Sequence, residues 1–128
     1  MSLRVWAYRG CDTCRRAQRF LAERKIAHEL IAIREQPPGV AELRAMLAHV
    51  GGELRRLFNT SGGDYQALHM KDRLPDMSVD EALALLAAHG NLVKRPFALG
   101  KDRGAVGFKP EEWERLISSE GVEKSARL

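Results

Sequence analysis

The sequence predicts an α/β domain whose mixed four-stranded sheet carries a helical insertion between its second and third strands. Strand, helix and strand patterns follow one another within residues 3–33. Helical patterns dominate the middle of the chain, and a hairpin pattern followed by one helix closes it. A strand–helix–strand beginning predicts two parallel strands joined by a right-handed crossover, and a hairpin supplies antiparallel strands.

The first third of the chain supplies the first two strands and the helix between them. Residues 3–8 are apolar enough for a buried strand, and residues 27–33 return to a strand pattern. Residues 13–25 repeat apolar side chains at helical spacing, which places Cys14 and Phe20 on one face.

The middle of the chain contains residues that typically begin and end short helices. Pro37-Pro38-Gly39 breaks the chain, and the apolar spacing over residues 40–50 predicts a helix that ends at Gly51-Gly52. A polar turn over residues 59–63 precedes a short helix around residues 65–71.

A capping box opens the next helix, and strands follow it. Ser78-Val79-Asp80-Glu81 places a serine and a glutamate at the spacing that satisfies the first backbone N–H groups, and the helix ends at Gly90. Residues 97–99 and 105–108 are short strand patterns separated by the turn at residues 101–104, which predicts a hairpin.

Pro110 suits the first position of a final helix, which turns Trp113 inward. This order of elements is the plan of a thioredoxin-like (glutaredoxin-like) fold with a helical insertion. We expect a single domain over residues 1–118 and a polar tail over residues 119–128.

Composition indicates the class of protein and argues against two kinds of partner. The chain has 128 residues, of which 45% are hydrophobic and 30% charged, as in soluble globular domains. No apolar run approaches the ~20 residues that span a bilayer, and the start has no apolar signal region, so we expect a cytoplasmic protein without a membrane partner. The net charge of +4 comes from scattered lysines and arginines, which argues against direct nucleic-acid binding.

The two cysteines of the chain, Cys11 and Cys14, stand at the predicted start of the first helix. There the helix dipole and free backbone N–H groups stabilise a thiolate. In a reducing cytosol such a pair favours catalytic or redox-sensing chemistry over a structural disulfide. The four histidines are too widely spread to indicate a metal site.

Four segments, taken in their order and spacing, resemble those of one protein family. They are Tyr8-Arg9-Gly10-Cys11-Asp12-Thr13-Cys14-Arg15-Arg16-Ala17, Leu57-Phe58-Asn59-Thr60-Ser61-Gly62, Leu92-Val93-Lys94-Arg95-Pro96-Phe97 and Val106-Gly107-Phe108. With them the chain resembles the arsenate reductase (ArsC) family, including its Spx-type and glutathione-linked reductase-like branches, over residues 3–118.

The resemblance implies roles for three residues. Cys11 matches the nucleophilic cysteine of the family. Arg95 matches an arginine that helps to bind the oxyanion and lowers the cysteine pKa in arsenate reductases, and Pro96 matches a cis proline that faces the cysteines in thioredoxin-like folds. A guanidinium beside a thiolate stabilises the anion and can bind an oxyanion through paired hydrogen bonds. From the residues alone, a surface ion pair is the alternative role of Arg95.

The chain also departs from the arsenate reductase pattern. Reductases of that type carry two further arginines around the site, at positions that hold Asn59 and Lys109 here. The substrate-binding candidates are the residues at these two positions, Asn59 and Lys109, together with Pro96, which the resemblance places facing the cysteines. Because two of the arginines are replaced, arsenate is a doubtful substrate. Cys14 is the other departure, since those enzymes take their second thiol from glutathione or glutaredoxin. Cys14 is either a resolving thiol or a packing residue on the inward helix face.

Two functions follow from the resemblance. The first is a thiol–disulfide oxidoreductase that acts on a small thiol or disulfide substrate, with catalytic Cys11, Cys14 and Arg95. It has no bound cofactor and draws electrons from glutathione as co-substrate, through glutaredoxin, or from thioredoxin. The second is an Spx-type regulator that binds RNA polymerase through a Cys11–Cys14 disulfide switch. Gly52 falls near a glycine with which such regulators contact the polymerase alpha subunit.

Overall fold

The computed structural model describes residues 3–118, and it contains a mixed four-stranded sheet in the order β2-β1-β3-β4. Strand β1 pairs in parallel with β2 and antiparallel with β3, which pairs antiparallel with β4. The predicted sheet is confirmed, while the tail predicted for residues 119–128 lies outside the described residues. The strands are β1 (Leu3–Ala7), β2 (His28–Ala32), β3 (Phe97–Leu99) and β4 (Gly104–Val106).

Six α-helices occur within residues 3–118, four of them in the segment between β2 and β3. None of them has the length and apolar character that spanning a membrane requires. Single turns of 3-10 helix lie at Leu54–Leu57, Leu74–Asp76 and Gly90–Leu92. The α-helices are α1 (Asp12–Glu23), α2 (Val40–His49), α3 (Gly63–Ala67), α4 (Met70–Arg73), α5 (Val79–Ala88) and α6 (Pro110–Ile117).

The sheet with α1 and α6 forms one compact unit, made of residues 3–32 and 95–118 of the described chain. Side chains alternate along β1, so every second one joins the core that α1 and α6 share. Arg24 links the two helices through an ion pair with Glu114 at 2.8 Å. The core consists of Leu3, Val5, Ala7, Cys14, Ala17, Phe20, Leu21, Ile26, Ala98, Ala105, Trp113 and Leu116.

Residues 33–94 form the second compact unit, in which α2 packs on α5. The capping box at its last helix is confirmed: the Ser78 hydroxyl accepts from the Glu81 N–H at 3.1 Å, and the Glu81 carboxylate accepts from the Ser78 N–H at 2.9 Å. Arg44 of α2 pairs with Asp80 of α5 at 2.6 Å. A single domain over residues 1–118 stays a prediction.

Two differences from the sequence-based expectation have a cause in the backbone conformation. The short helix expected around residues 65–71 is divided into α3 and α4, because His69 adopts a left-handed conformation with φ of 54°. The hairpin strand expected over residues 105–108 ends at Val106. Gly107 has φ of 72°, a left-handed conformation that leaves the extended path and places Phe108 outside the strand.

Candidate active site around Cys11

Cys11 is the N-cap residue of α1, at the carboxyl end of β1. Its backbone is extended, and its Sγ accepts a hydrogen bond from the Cys14 N–H at 3.3 Å. Its own N–H donates to the Tyr8 carbonyl at 3.0 Å, which fixes the turn between strand and helix. The half-buried sulfur therefore takes the place of the side-chain oxygen of an ordinary N-cap, beside the positive end of the helix dipole.

The surroundings of Cys11 favour its thiolate. Partial burial acts to raise its pKa, but hydrogen bonds from the Cys14 thiol and from the Cys14 N–H lower it, as do the charge of Arg95 and the Thr13 N–H. The net result is a pKa below the ordinary thiol value of 9.0. Cys11 thus has the electronic character of an attacking thiol.

Cys14 has the opposite character. It is fully buried on the inward face of α1, and burial raises the pKa of its thiol to about 12. The neighbouring Cys11 contributes to this rise, while a backbone hydrogen bond from Tyr8 and the charge of Arg95 act to lower the pKa. The pair therefore divides into an outer thiol with a lowered pKa and a buried inner thiol with a raised pKa. Both are free thiols here.

Arg95 precedes β3, the strand beside β1. Its charge lowers the pKa values of both cysteines, so the guanidinium lies close enough to act on each thiol. Its Nη1 atom is buried without a hydrogen-bond partner, and the side chain forms no ion pair with any described carboxylate. A buried, unpartnered guanidinium nitrogen beside a thiol is suited to binding an anion.

Tyr8 supports Arg95, a role that the sequence analysis missed. The guanidinium carbon of Arg95 lies over the Tyr8 ring, 5.1 Å from its centroid. A cation over an aromatic face is attracted by the negative charge of that face. Gly10 leaves room for this ring, because a Cβ there would stand 2.6 Å from Tyr8 Cε2. A tyrosine directly after a strand and three residues before the reactive cysteine was the available signal.

The three predicted substrate-binding residues have different settings. Pro96 is buried and follows a cis peptide bond, as the family resemblance implied, and its carbonyl accepts from the Gly107 N–H at 2.9 Å. Lys109 is exposed at the N-cap of α6. Asn59 belongs to the second unit, where its N–H donates to the Leu92 carbonyl at 2.7 Å. Substrate binding by these residues stays a prediction.

The structure thus groups the three residues expected to be catalytic, Cys11, Cys14 and Arg95, through direct or electrostatic contact. Their catalytic roles are a proposal developed below. No cluster of histidine, cysteine, aspartate or glutamate able to hold a metal ion occurs in the part of the chain that the structure describes.

The chain has relatives whose names point to different functions. It is 43% identical to the uncharacterized protein YusI of Bacillus subtilis (strain 168), over 89% of this chain and 97% of that protein. It is 29% identical to an arsenate reductase of Neisseria meningitidis, over 84% of this chain and 91% of the relative. It is 26% identical to the global transcriptional regulator Spx of Enterococcus faecalis, over 90% and 86% respectively.

Solved structures and the family profile agree on one family. An ArsC-family-related protein from Bacteroides fragilis superimposes with a TM-score of 0.84 at 40% sequence identity, covering 91% of this chain and 99% of that one. The profile of the ArsC family matches residues 6–116, a span that includes Cys11, Cys14 and Arg95. The chain therefore belongs to the ArsC family.

Proposed function

We propose that this ArsC-family protein is a thiol–disulfide oxidoreductase in which Cys11 attacks and Cys14 resolves. The observation that carries the proposal is the contrast between the two thiols. Cys11 accepts hydrogen bonds at a helix start and has a lowered pKa, whereas buried Cys14 has a pKa of about 12. The thiol that holds a thiolate more readily is the nucleophile in exchange.

The proposed reaction begins with a substrate disulfide or glutathione adduct. The Cys11 thiolate attacks one sulfur, so that a Cys11–substrate mixed disulfide forms while the other sulfur leaves as a thiolate and takes up a proton. Cys14 then loses its proton and attacks the Cys11 sulfur. The substrate thiolate leaves, and a Cys11–Cys14 disulfide remains. The substrate has gained two electrons, which the cysteine pair has supplied.

The contact between the two cysteines supports this second step. The Cys14 N–H donates a hydrogen bond to Cys11 Sγ at 3.3 Å, and each cysteine influences the pKa of the other, so the two side chains are neighbours before the reaction starts. Mixed-disulfide formation removes the Cys11 charge, which is one of the influences that raise the pKa of Cys14. Formation of the intermediate therefore makes Cys14 easier to deprotonate when it is needed.

Arg95 is proposed to bind the negative charge of the substrate. A guanidinium with one buried, unpartnered nitrogen suits a carboxylate of a glutathione adduct or an oxyanion. Arsenate is a weaker candidate, because Asn59 and Lys109 stand where arsenate reductases carry arginine. The disulfide is proposed to be reduced again by two glutathione thiols, through glutaredoxin, or by thioredoxin, at a cytoplasmic location.

Turnover assays test the proposal. The protein should reduce a mixed disulfide of glutathione when glutathione with glutaredoxin, or thioredoxin, is supplied, and should reduce arsenate weakly or not at all. Cys11→Ser should abolish turnover. Cys14→Ser should accumulate the mixed disulfide, which mass spectrometry detects. Arg95→Met should slow turnover while the variant stays folded. Absence of turnover on every disulfide and oxyanion would overturn the proposal.

A redox-sensing regulator is the second candidate, favoured by the similarity to Spx across most of the chain. Gly52 is exposed in a turn after α2, with φ of 79° and nothing within 4 Å of a Cβ built there, so a partner could approach it. Pull-down with the RNA polymerase alpha subunit, under oxidising and reducing conditions, separates the two functions. Capture that depends on Cys14, without turnover, would favour the regulator.

A further inference from the structure

The second unit contains a surface cavity of about 560 Å³, lined by residues of the segment 54–75, which follows α2 and precedes α5 in the chain. Its apolar lining comes from Leu54, Tyr65, Leu74 and Pro75. The Tyr65 side chain is buried and packs edge-on against Phe58, with ring centroids 6.1 Å apart, so this wall is anchored in the unit's own core. The volume lies in the range of cavities that hold small molecules.

The polar lining of the cavity consists of hydrogen-bond donors that can face an anion. Arg55, Lys71 and Thr60 line it, and no carboxylate does. In the described part of the chain, the side chains of Arg55 and Lys71 have no hydrogen bond and no ion pair. By contrast, Arg44 in the same unit is paired with Asp80 at 2.6 Å. Two unneutralised cations at one cavity create a local positive potential.

We propose that this cavity binds a small organic anion, a molecule with an apolar body and one carboxylate, phosphate or sulfonate group. The leucines, the proline and the tyrosine ring would bury the body. Arg55 would pair with the anionic group through two parallel N–H donors, Lys71 would add a point charge, and the Thr60 hydroxyl would donate one hydrogen bond.

The charge complementarity selects this ligand class over two others. A neutral apolar ligand would leave both cations without a counter-charge, and a cation would be repelled by them. Inorganic phosphate would satisfy Arg55 and Lys71 but leave the apolar wall in water. The proposal uses residues 54–75 alone and is independent of the thiol chemistry of Cys11.

Paired fluorescent probes test the proposal. 8-Anilinonaphthalene-1-sulfonate has an apolar body and one sulfonate, and N-phenyl-1-naphthylamine is its uncharged counterpart. The sulfonate should bind at one saturable site, about tenfold more tightly than the uncharged probe, as expected for one hydrogen-bonded charge pair. Amide shifts in two-dimensional NMR should be confined to residues 54–75.

A matched set of variants completes the test. Arg55→Met with Lys71→Met removes the charges and keeps most of the side-chain volume, so it should weaken sulfonate binding about tenfold and leave the uncharged probe unaffected. Lys101→Met, in the exposed turn between β3 and β4, removes one charge elsewhere and should change nothing. Equal binding of both probes, an unaffected double variant, or shifts outside residues 54–75 would each overturn the proposal.

Discussion

The Arg95 guanidinium lies over the ring of Tyr8, with its carbon 5.1 Å from the ring centroid. The backbone carbonyl of Tyr8 accepts the Cys11 N–H at 3.0 Å. One residue therefore holds both partners of the site, the cation through its ring and the thiol through its main chain. The Cys11–Arg95 pair thus shares one neighbouring residue, which contributes an aromatic ring and a backbone carbonyl.

Replacing Tyr8 with leucine should weaken the chemistry of Cys11 without removing any charged group. The guanidinium would lose its aromatic support, which is worth about 0.5–1 kcal/mol at sites of this kind and corresponds to a roughly two- to fivefold slower reaction. The pKa of Cys11 should rise. The rate of Cys11 alkylation by iodoacetamide as a function of pH measures both quantities.

Tyr8→Phe is the matched control, because it keeps the ring face and removes the hydroxyl alone. Its alkylation profile should stay close to that of the unaltered protein. If Tyr8→Leu also reacts like the unaltered protein, then the ring does not position Arg95.

Gly10→Ala should disturb the same contact between Tyr8 and Arg95, in this case by crowding the Tyr8 ring. The new methyl group would stand 2.6 Å from Cε2 and 2.9 Å from Cζ of Tyr8, so the ring must move. We expect slower alkylation of Cys11 in a protein that still folds, since only the end of one side chain has to shift. Gly63→Ala is the control, because nothing lies within 4 Å of a Cβ there. Equal rates for both variants would mean that the ring adjusts without consequence.

The two thiols should titrate far apart. Cys11 has its pKa lowered below 9.0, so its alkylation rate should rise through a midpoint below that pH. In the Cys11→Ser variant, burial still raises the pKa of Cys14, so this thiol should react only in alkaline solution, above the midpoint of Cys11. Cys14→Ser removes the buried thiol. The midpoint of Cys11 alkylation in this variant measures how much Cys14 stabilises the Cys11 thiolate. Fast reaction of Cys14 near neutral pH would reverse the assigned roles.

The indole of Trp113 should make a measurable contribution to stability. Its Nε1 donates to the Gly107 carbonyl at 2.9 Å in a buried setting, and its ring packs against those of Phe20 and Phe108. Trp113→Phe should lower the free energy of unfolding by about 1–3 kcal/mol, because a buried carbonyl loses its partner. Urea denaturation followed by circular dichroism measures the change.

Trp6→Phe provides the comparison, since it deletes the same atoms from another buried tryptophan. The Trp6 indole donates no hydrogen bond to any residue between 3 and 118, so its replacement should cost less. Equal losses for the two variants would show that volume, and not the Gly107 hydrogen bond, sets the cost at Trp113.

Local signals in the sequence were sufficient to predict much of the fold. The Ser78–Glu81 capping box predicted the start of α5 to the residue, because cap hydrogen bonds join neighbours in the chain. The apolar spacing at Cys14 and Phe20 predicted the inward face of α1. His69 was missed because a left-handed conformation at a residue other than glycine has no reliable local signal.

The candidate site was predictable only where its residues act through their immediate neighbours in the chain. Cys11 and Cys14 lie one helical turn apart, so the helical pattern placed both at the start of α1 and Cys14 on its inward face, while the role of Cys11 came from the family resemblance. The contact between Tyr8 and Arg95 joins residues far apart in sequence, through the pairing of β1 with β3. No periodicity or capping rule describes such a contact, and Arg95 itself was found through family resemblance.

The unpartnered Nη1 of Arg95 has a consequence for the balance between the two oxidation states. When Cys11 of the reduced protein is deprotonated, its thiolate supplies a counter-charge to this guanidinium, whereas a Cys11–Cys14 disulfide would supply none. Oxidation therefore leaves a cation partly withdrawn from water without compensation, and this electrostatic cost favours return to the dithiol. An anion that binds Arg95 would offset the cost. Such anions should bind the oxidised protein more tightly and, by the reciprocity of linked equilibria, make its disulfide harder to reduce.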